Sequence, residues 1–267
     1  MVGDSENQKV QTVIIIPTYN GVEFVKGCMD SIRKNTKDYF IVVVDDGSDT
    51  FISSKDLESK GQKDFYLYTN MENSGFPVSC NVGINIAFRL NPEYICILND
   101  DTIVTDKWLE RMIGTFKKNE KIGIVGCTTN EISGPQRLLT RRYDSQEELD
   151  FAAEELYFQN KGKIEYYHRI VGFCMLIKKK VIEDIGYFNE IFSPGNYEDN
   201  DYSLRAIAAG YLCAICKEVY IHHFGSSTFK KDEEEYNKLL LANKEKFDML
   251  WSEEVVEQLA SKNNIGE

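Results

Sequence analysis

Short polar clusters in this 267-residue chain sit where apolar runs end. Asn99-Asp100-Asp101 follows the run Tyr94 to Leu98. Two adjacent carboxylates at a buried strand end repel each other and lose hydration unless a cation or hydrogen-bond donors compensate. A divalent ion, Mg²⁺ or Mn²⁺, held by one or two carboxylates and completed by substrate phosphates resolves that conflict. A turn whose Asp caps a helix near Asp106 resolves it too. Asp45-Asp46-Gly47-Ser48 repeats the arrangement after Phe40 to Val44. There a carboxylate either accepts from a nucleobase N–H or ribose hydroxyl, or closes a tight turn. Tyr197-Glu198-Asp199-Asn200-Asp201 precedes a helix bearing Arg205. Acidic residues suit a helix N-terminus, and one of them in a loop can equally serve as general base toward a hydroxyl. Ser193-Pro194-Gly195-Asn196 is expected to make that loop mobile enough to close over a substrate.

His222-His223 ends a predicted strand. Adjacent strand residues face opposite ways, so one of the two easily reaches a given site, as a metal ligand or as a satisfied polar strand end. Cys213-Ala214-Ile215-Cys216 lacks the second ligand pair that structural zinc needs. Arg137, Arg141 and Arg142 lie in a loop, Ser133 to Asp144, that reads as solvated or as facing phosphate or an acidic acceptor.

These clusters need a scaffold that brings strand ends together. Val13 to Ile16, Phe40 to Val44, Phe65 to Tyr68, Tyr94 to Leu98 and Ile122 to Gly126 read as strands. Helical spacing recurs between them, at Val22 to Ile32, Pro77 to Arg89 and Asp106 to Lys118. The alternation predicts an α/β fold, a mostly parallel sheet with helices on both faces, whose ligands bind beyond the carboxyl ends of the strands. The second half predicts a helix over Gln146 to Gln159, a strand over Ile170 to Ile177 and a helix from Asn200 to Ala209. One or two strands are expected over Tyr211 to His222, and a charged helical tail from Asp232.

Composition bounds the function. A net charge of −12 argues against a nucleic-acid partner. It does not argue against a small anionic ligand met by a metal or a local basic pocket. No apolar run approaches the ~20 residues of a membrane span. Met1 to Lys9 shows neither a basic start nor an apolar stretch, so no secretory signal is expected. Seven cysteines, an odd number mostly inside apolar runs, suit reduced buried thiols. The expectation is a cytoplasmic protein, with contact at the inner membrane face left open. Neither a dinucleotide fingerprint nor a P-loop is present.

In order along the chain, the motifs are Ile15-Ile16-Pro17-Thr18-Tyr19-Asn20, Val43-Val44-Asp45-Asp46-Gly47-Ser48 and Asn73-Ser74-Gly75-Phe76 with Asn81-Val82-Gly83. Leu98-Asn99-Asp100-Asp101-Thr102, Gly172 to Ile177, Glu198 to Arg205 and His222 to Ser227 follow. This ordered set resembles the family 2 glycosyltransferases of GT-A fold, nearest the rhamnosyltransferase-like, cell-surface-glycan branch. The resemblance implies one GT-A domain over 1–230, with a nucleotide-sugar half at about 10–127 and an acceptor half at about 128–230. The helical extension 231–267 would pack on it. It implies inverting transfer from a UDP-, dTDP- or GDP-linked sugar to a glycan, lipid-linked or protein acceptor, with a divalent metal (Mn²⁺ or Mg²⁺) as cofactor. By resemblance, Pro17 and Tyr19 line the nucleobase pocket and Asp46 binds the base. Gly75 and Asn81 lie along the nucleotide. Asn99-Asp100-Asp101 takes the Asp-x-Asp position with Asn first, Asp100 serving the ribose and Asp101 the metal. Asp199 is the catalytic base and His222 the second metal ligand, with His223 its rival. The readings set against it are a catalytically silent nucleotide-sugar-binding scaffold and a sugar-nucleotide pyrophosphorylase. The latter's basic Gly-rich loop is replaced here by Pro17-Thr18-Tyr19-Asn20.

Overall fold

The structure is a computed structural model that describes residues 10–59, 61–138, 142–225 and 233–264. The first half runs β1 (Thr12–Thr18), α1 (Val22–Asn35), β2 (Tyr39–Asp45), α2 (Ser54–Leu57), β3 (Phe65–Thr69), α3 (Phe76–Phe88), β4 (Tyr94–Leu98), β5 (Thr102–Ile103), α4 (Trp108–Phe116) and β6 (Ile122–Thr128). The second half runs α5 (Gln146–Asn160), β7 (Ile164–Tyr166), β8 (Cys174–Lys178), α6 (Lys179–Ile185), α7 (Glu198–Ala208), β9 (Leu212–Tyr220), β10 (His222–His223), α8 (Glu233–Leu250) and α9 (Glu253–Asn264).

The main sheet has the order β3-β2-β1-β4-β8-β6-β9-β7. Strands β1 to β4 pair in parallel, as do β6 and β9. Between those two groups β8 lies antiparallel to both β4 and β6. A second, two-stranded sheet pairs β10 with β5. The sheet is covered on both faces, which is why its strands read as unbroken apolar runs. Along β1, Ile14 and Ile16 join Val25, Met29 and Ile32 of α1 on one side, while Val13 and Ile15 join Cys80 and Ile84 of α3 on the other. Helix α3 lies so close that a Cβ at Gly83 would stand 2.3 Å from Ile15.

One expectation shifts. The strand expected over Ile170 to Ile177 starts only at Cys174. Residues 170–173 are buried loop: Ile170 N–H goes to Ser203 and Val171 N–H to the side chain of Gln136. Burial gives an apolar loop and an apolar strand the same appearance in sequence. The tail forms two helices that dock on the sheet side. Asn263 exchanges two hydrogen bonds with the backbone of Cys213, and Trp251 Nε1–H donates to Asp201 at 2.9 Å. Cys213 and Cys216 fall in the two opposite cores of the sheet, so they cannot share one metal. Arg141, Ser226 and Ser227 lie outside the described residues.

Candidate active site

The carboxyl ends of β1, β2 and β4 meet, and each contributes polar groups there. Pro17 pairs in register with Val44, so Thr18 and Tyr19 emerge beside Asp45 and Asp46. Both oxygens of Asp46 are engaged. Oδ1 accepts from Asn70 Nδ2 (2.7 Å) and Ser74 N–H (3.1 Å), and Oδ2 accepts from Gly75 N–H (2.7 Å). Gly75 sits at φ 96°, and a Cβ there would stand 2.6 Å from Pro194 Cα. Only glycine fits that close approach. Asp45 Oδ1 closes the turn onto Ser48, while its Oδ2 is buried without a partner.

Asp100 and Asp101 diverge after β4. Asp100 Oδ2 accepts from Thr18 Oγ1 at 2.6 Å. Burial, with the adjacent Asp101 charge, pushes its carboxyl up to about 7 despite the Thr18 hydrogen bond. Asp101 Oδ1 lies 3.2 Å from His223 Nε2, and Asn99 Nδ2 lies 3.3 Å from the same nitrogen. His223 Nδ1–H donates to the Glu131 carbonyl at 2.7 Å. That bond leaves Nε2 of a neutral imidazole as a lone pair.

The strand register sets the two histidines on opposite sides of the ribbon. His223 pairs with Thr102 and faces the Asn99–Asp101 turn; His222 pairs with Ile103 and faces the other way. His222 Nδ1 is engaged by the Tyr143 hydroxyl at 2.5 Å, which in turn meets the Tyr220 hydroxyl. The residue chosen from sequence as the second metal ligand, His222, is therefore turned away, and its neighbour stands at Asp101.

Asn81 also departs from expectation. Its amide spans the 188–190 segment, donating to Phe188 O and Glu190 Oε1 and accepting from Phe188 N–H, at 2.8–2.9 Å. It holds a loop; its polar atoms are taken.

Glu198 and Asp199 open α7, and both are buried. Asp199 Oδ2 accepts from Gly172 N–H (3.0 Å) and Oδ1 from Asn200 N–H (2.7 Å). Burial raises the Asp199 pKa, opposed by these donors and by the Arg169 charge. Glu198 is raised to about 8 by burial and by Asp199, and its Oε2 has no partner. The two carboxyls titrate together, and the donors on Asp199 make Glu198 the one that keeps the proton. The preceding loop, expected to be mobile, is tied down: Phe76 N–H donates to Pro194 O at 2.9 Å.

Two consecutive residues connect the halves of the site. Gly172 N–H holds Asp199, while Phe173 O accepts from Asn99 N–H (2.8 Å) and the Phe173 ring lies 5.4 Å from the His223 ring. Sequence reading passed over Asn70, Arg169 and Glu131. Each acts at a distance in sequence from the motif residue it serves, so no local spacing marks it.

The sequence model of Glycosyl transferase family 2 matches residues 13–186, well over half of the chain. The chain belongs to that family. Among its relatives, the glycosyltransferase GlyG of Streptococcus pneumoniae serotype 4 is 24% identical over 258 residues, covering 93% of this chain and 78% of that protein. An uncharacterized glycosyltransferase of Rickettsia typhi is 28% identical over 247 residues, covering 90% of this chain and 70% of its own. Among solved structures, GalNAc-T7 with UDP, GalNAc and Mn²⁺ superposes with a TM-score of 0.65 at 14% identity, over 93% of this chain and 49% of that one. Staphylococcus aureus TarS 1–349 gives 0.58 at 15% identity, over 95% and 70%. At such identities the likeness establishes the GT-A fold alone. This chain spans about half the length of the GalNAc-T7 chain. No helix among the described residues is long and apolar enough to cross a membrane.

Proposed function

We propose that the protein moves a sugar from a nucleotide-diphosphate sugar to an acceptor hydroxyl by a single inverting displacement, with a divalent metal on the diphosphate and Asp199 as base. The observation that carries this reading is the Gly172-Phe173 link, which sets the Asp199 carboxylate on one side and the Asn99–Asp101–His223 group on the other.

The residues fit a metal of modest protein ligation. Among the described residues no three His, Cys, Asp or Glu converge into a ready-made cluster. An ion completed by diphosphate oxygens and water needs only one or two protein ligands. Asp101 Oδ1 and His223 Nε2 face each other at 3.2 Å, an arrangement that a proton or a shared cation between them suits. Neighbouring ligands of an octahedral ion with bonds of ~2.1 Å stand about 3 Å apart, close to that separation. Such an ion would stabilise the negative charge of the departing nucleoside diphosphate.

The chain's own groups do the rest. Thr18, Asp100 and the Asp46 turn hold the nucleoside end, with Pro17 and Tyr19 beside the base. Asp199, pinned through both oxygens, takes the acceptor proton as the new bond forms. Glu198 keeps its proton and so leaves Asp199 as the anion of the pair.

Calorimetric titration of UDP, GDP, dTDP and CMP, with Mn²⁺ and with chelator, tests the reading on the native chain and on Asp101→Ala. Binding of one diphosphate that needs both metal and Asp101 supports it. A folded protein that binds none of the four overturns it.

A further inference from the structure

The loop that delivers Asp199 is held from behind by a helix far along the chain and outside the family match, which ends at residue 186. Asn243 of α8 is wholly buried, and its Nδ2 reaches three carbonyls of that loop: Phe192 (2.7 Å), Gly195 (2.8 Å) and Asn196 (3.3 Å). Its own Oδ1 accepts from Lys246 Nζ at 2.8 Å, and Lys246 donates as well to Ile191 O at 2.7 Å. Tyr236 hydroxyl donates to Asn196 Oδ1 at 3.3 Å, and the Phe247 ring lies 5.3 Å from that of Tyr197.

The loop needs such support. Asn196 and Tyr197 both sit at positive φ, 76° and 73°. Asn tolerates that conformation, but a bulky residue such as Tyr197 adopts it only when its surroundings over-determine it. Tyr197 is also the residue before α7, and its own side chain makes no capping hydrogen bond. The Asp199 carboxylate is held by Gly172 and Asn200, while the strained turn that precedes it takes its support from outside the loop. The opposite side of the loop is fixed to the donor end of the site through Phe76 N–H and Pro194 O. Helix α8 closes the second side.

We infer that α8 is a clamp on the base-bearing loop, and that Asn243 is a positioning residue that acts through Asp199. The inference rests on Asp199 being the base. The amide suits the task because one planar group gathers carbonyls from Phe192, Gly195 and Asn196, which no apolar side chain could satisfy. A displacement of about 1 Å at a reacting group is enough to cost roughly 100-fold in rate.

The test uses the full chain with Asn243→Ala and the milder Tyr236→Phe. Peptide-resolved amide hydrogen exchange should speed up over 192–199 by about tenfold or more in Asn243→Ala, less in Tyr236→Phe, with the strands β1, β4 and β8 unchanged. Titration with Mn²⁺ and the diphosphate that the native chain binds should give the same Kd. Turnover of the matching nucleotide sugar, read as donor hydrolysis or transfer, should lose kcat by about tenfold or more at constant donor KM. Exchange that rises throughout the molecule, or does not rise at 192–199, overturns the clamp. A local rise with kcat unchanged overturns the positioning role. If the native chain binds no nucleotide, the proposed function fails, while the exchange result still decides whether the clamp exists.

Discussion

The Nε2 atom of His223 lies 3.2 Å from a carboxylate oxygen of Asp101, on the side of the short β10–β5 ribbon away from His222. Asp101→Ala and His223→Ala should each weaken metal-dependent diphosphate binding by about 100-fold or more, since even hydrogen-bond partners behind a metal ligand are worth roughly 10–100-fold. His222→Ala should leave that binding within about threefold, because its Nδ1 serves Tyr143. Titrations of the three variants with Mn²⁺ and diphosphate decide the matter.

The same pair predicts a pH dependence. Burial pulls the His223 pKa down, but the Asp101 carboxylate and the Glu131 carbonyl pull it up further, and the net direction is up. Without metal, the imidazolium–carboxylate pair stabilises the fold fully below the ordinary histidine range, and that stability is lost as pH rises through the raised pKa. A metal must displace the proton, so Mn²⁺ affinity should climb with pH across that window, with a proton released per ion bound. Calorimetry in buffers of different ionisation enthalpy measures that proton.

Glu198 gives the opposite kind of linkage. The folded protein keeps its proton to about pH 8, while an unfolded chain releases it near 4.5. The native state thus binds more protons between those values, and stability falls as pH rises through the interval. Glu198→Gln should flatten that slope and gain about 1–3 kcal/mol at pH 8, by removing a buried carboxyl whose Oε2 has no partner. Asp199→Asn, in contrast, should lower kcat by about 100-fold or more with diphosphate Kd unchanged. Urea melts across pH and steady-state rates separate the two carboxyls.

Asn81→Ala should cost about 2–3 kcal/mol of stability, because it strands the Phe188 N–H and carbonyl in the interior. Diphosphate affinity should stay within about twofold. A large loss of affinity with native stability would return Asn81 to the nucleotide side.

Gly75→Ala combines a positive φ with a backbone collision against Pro194. We expect a loss of about 1–3 kcal/mol, together with weaker nucleotide binding through the Asp46 contact. Thermal melts with and without diphosphate would show both effects.

Much of this architecture is written locally. The runs at Val13, Phe40, Tyr94 and Ile122 announce strands because both faces of the sheet are covered, and the turn residues after them announce the site. The family resemblance follows from the order of those motifs. What stays hidden depends on partners remote in sequence. Whether His222 or His223 faces Asp101 is set by pairing with Thr102 and Ile103, which no spacing encodes. Asn81 looks like a ligand residue until Phe188 is beside it. Asn243 carries no motif at all, since its three carbonyl partners belong to a loop some fifty residues earlier.

Strand β8 has a consequence for how the chain is made. It alone joins β4 to β6, yet it arrives only at residues 174–178. A ribosome that has released the chain through β6 has therefore produced one half-sheet, β3-β2-β1-β4, with a bare β4 edge, and a lone β6 whose partners β8 and β9 are still to come. Such edges invite pairing with other chains, and long-range strand insertion is slow. The nascent protein should thus be most prone to aggregate while residues 129–173 are being added, and substitutions that weaken β8 should lower soluble yield more than they lower the melting temperature of the molecules that do fold.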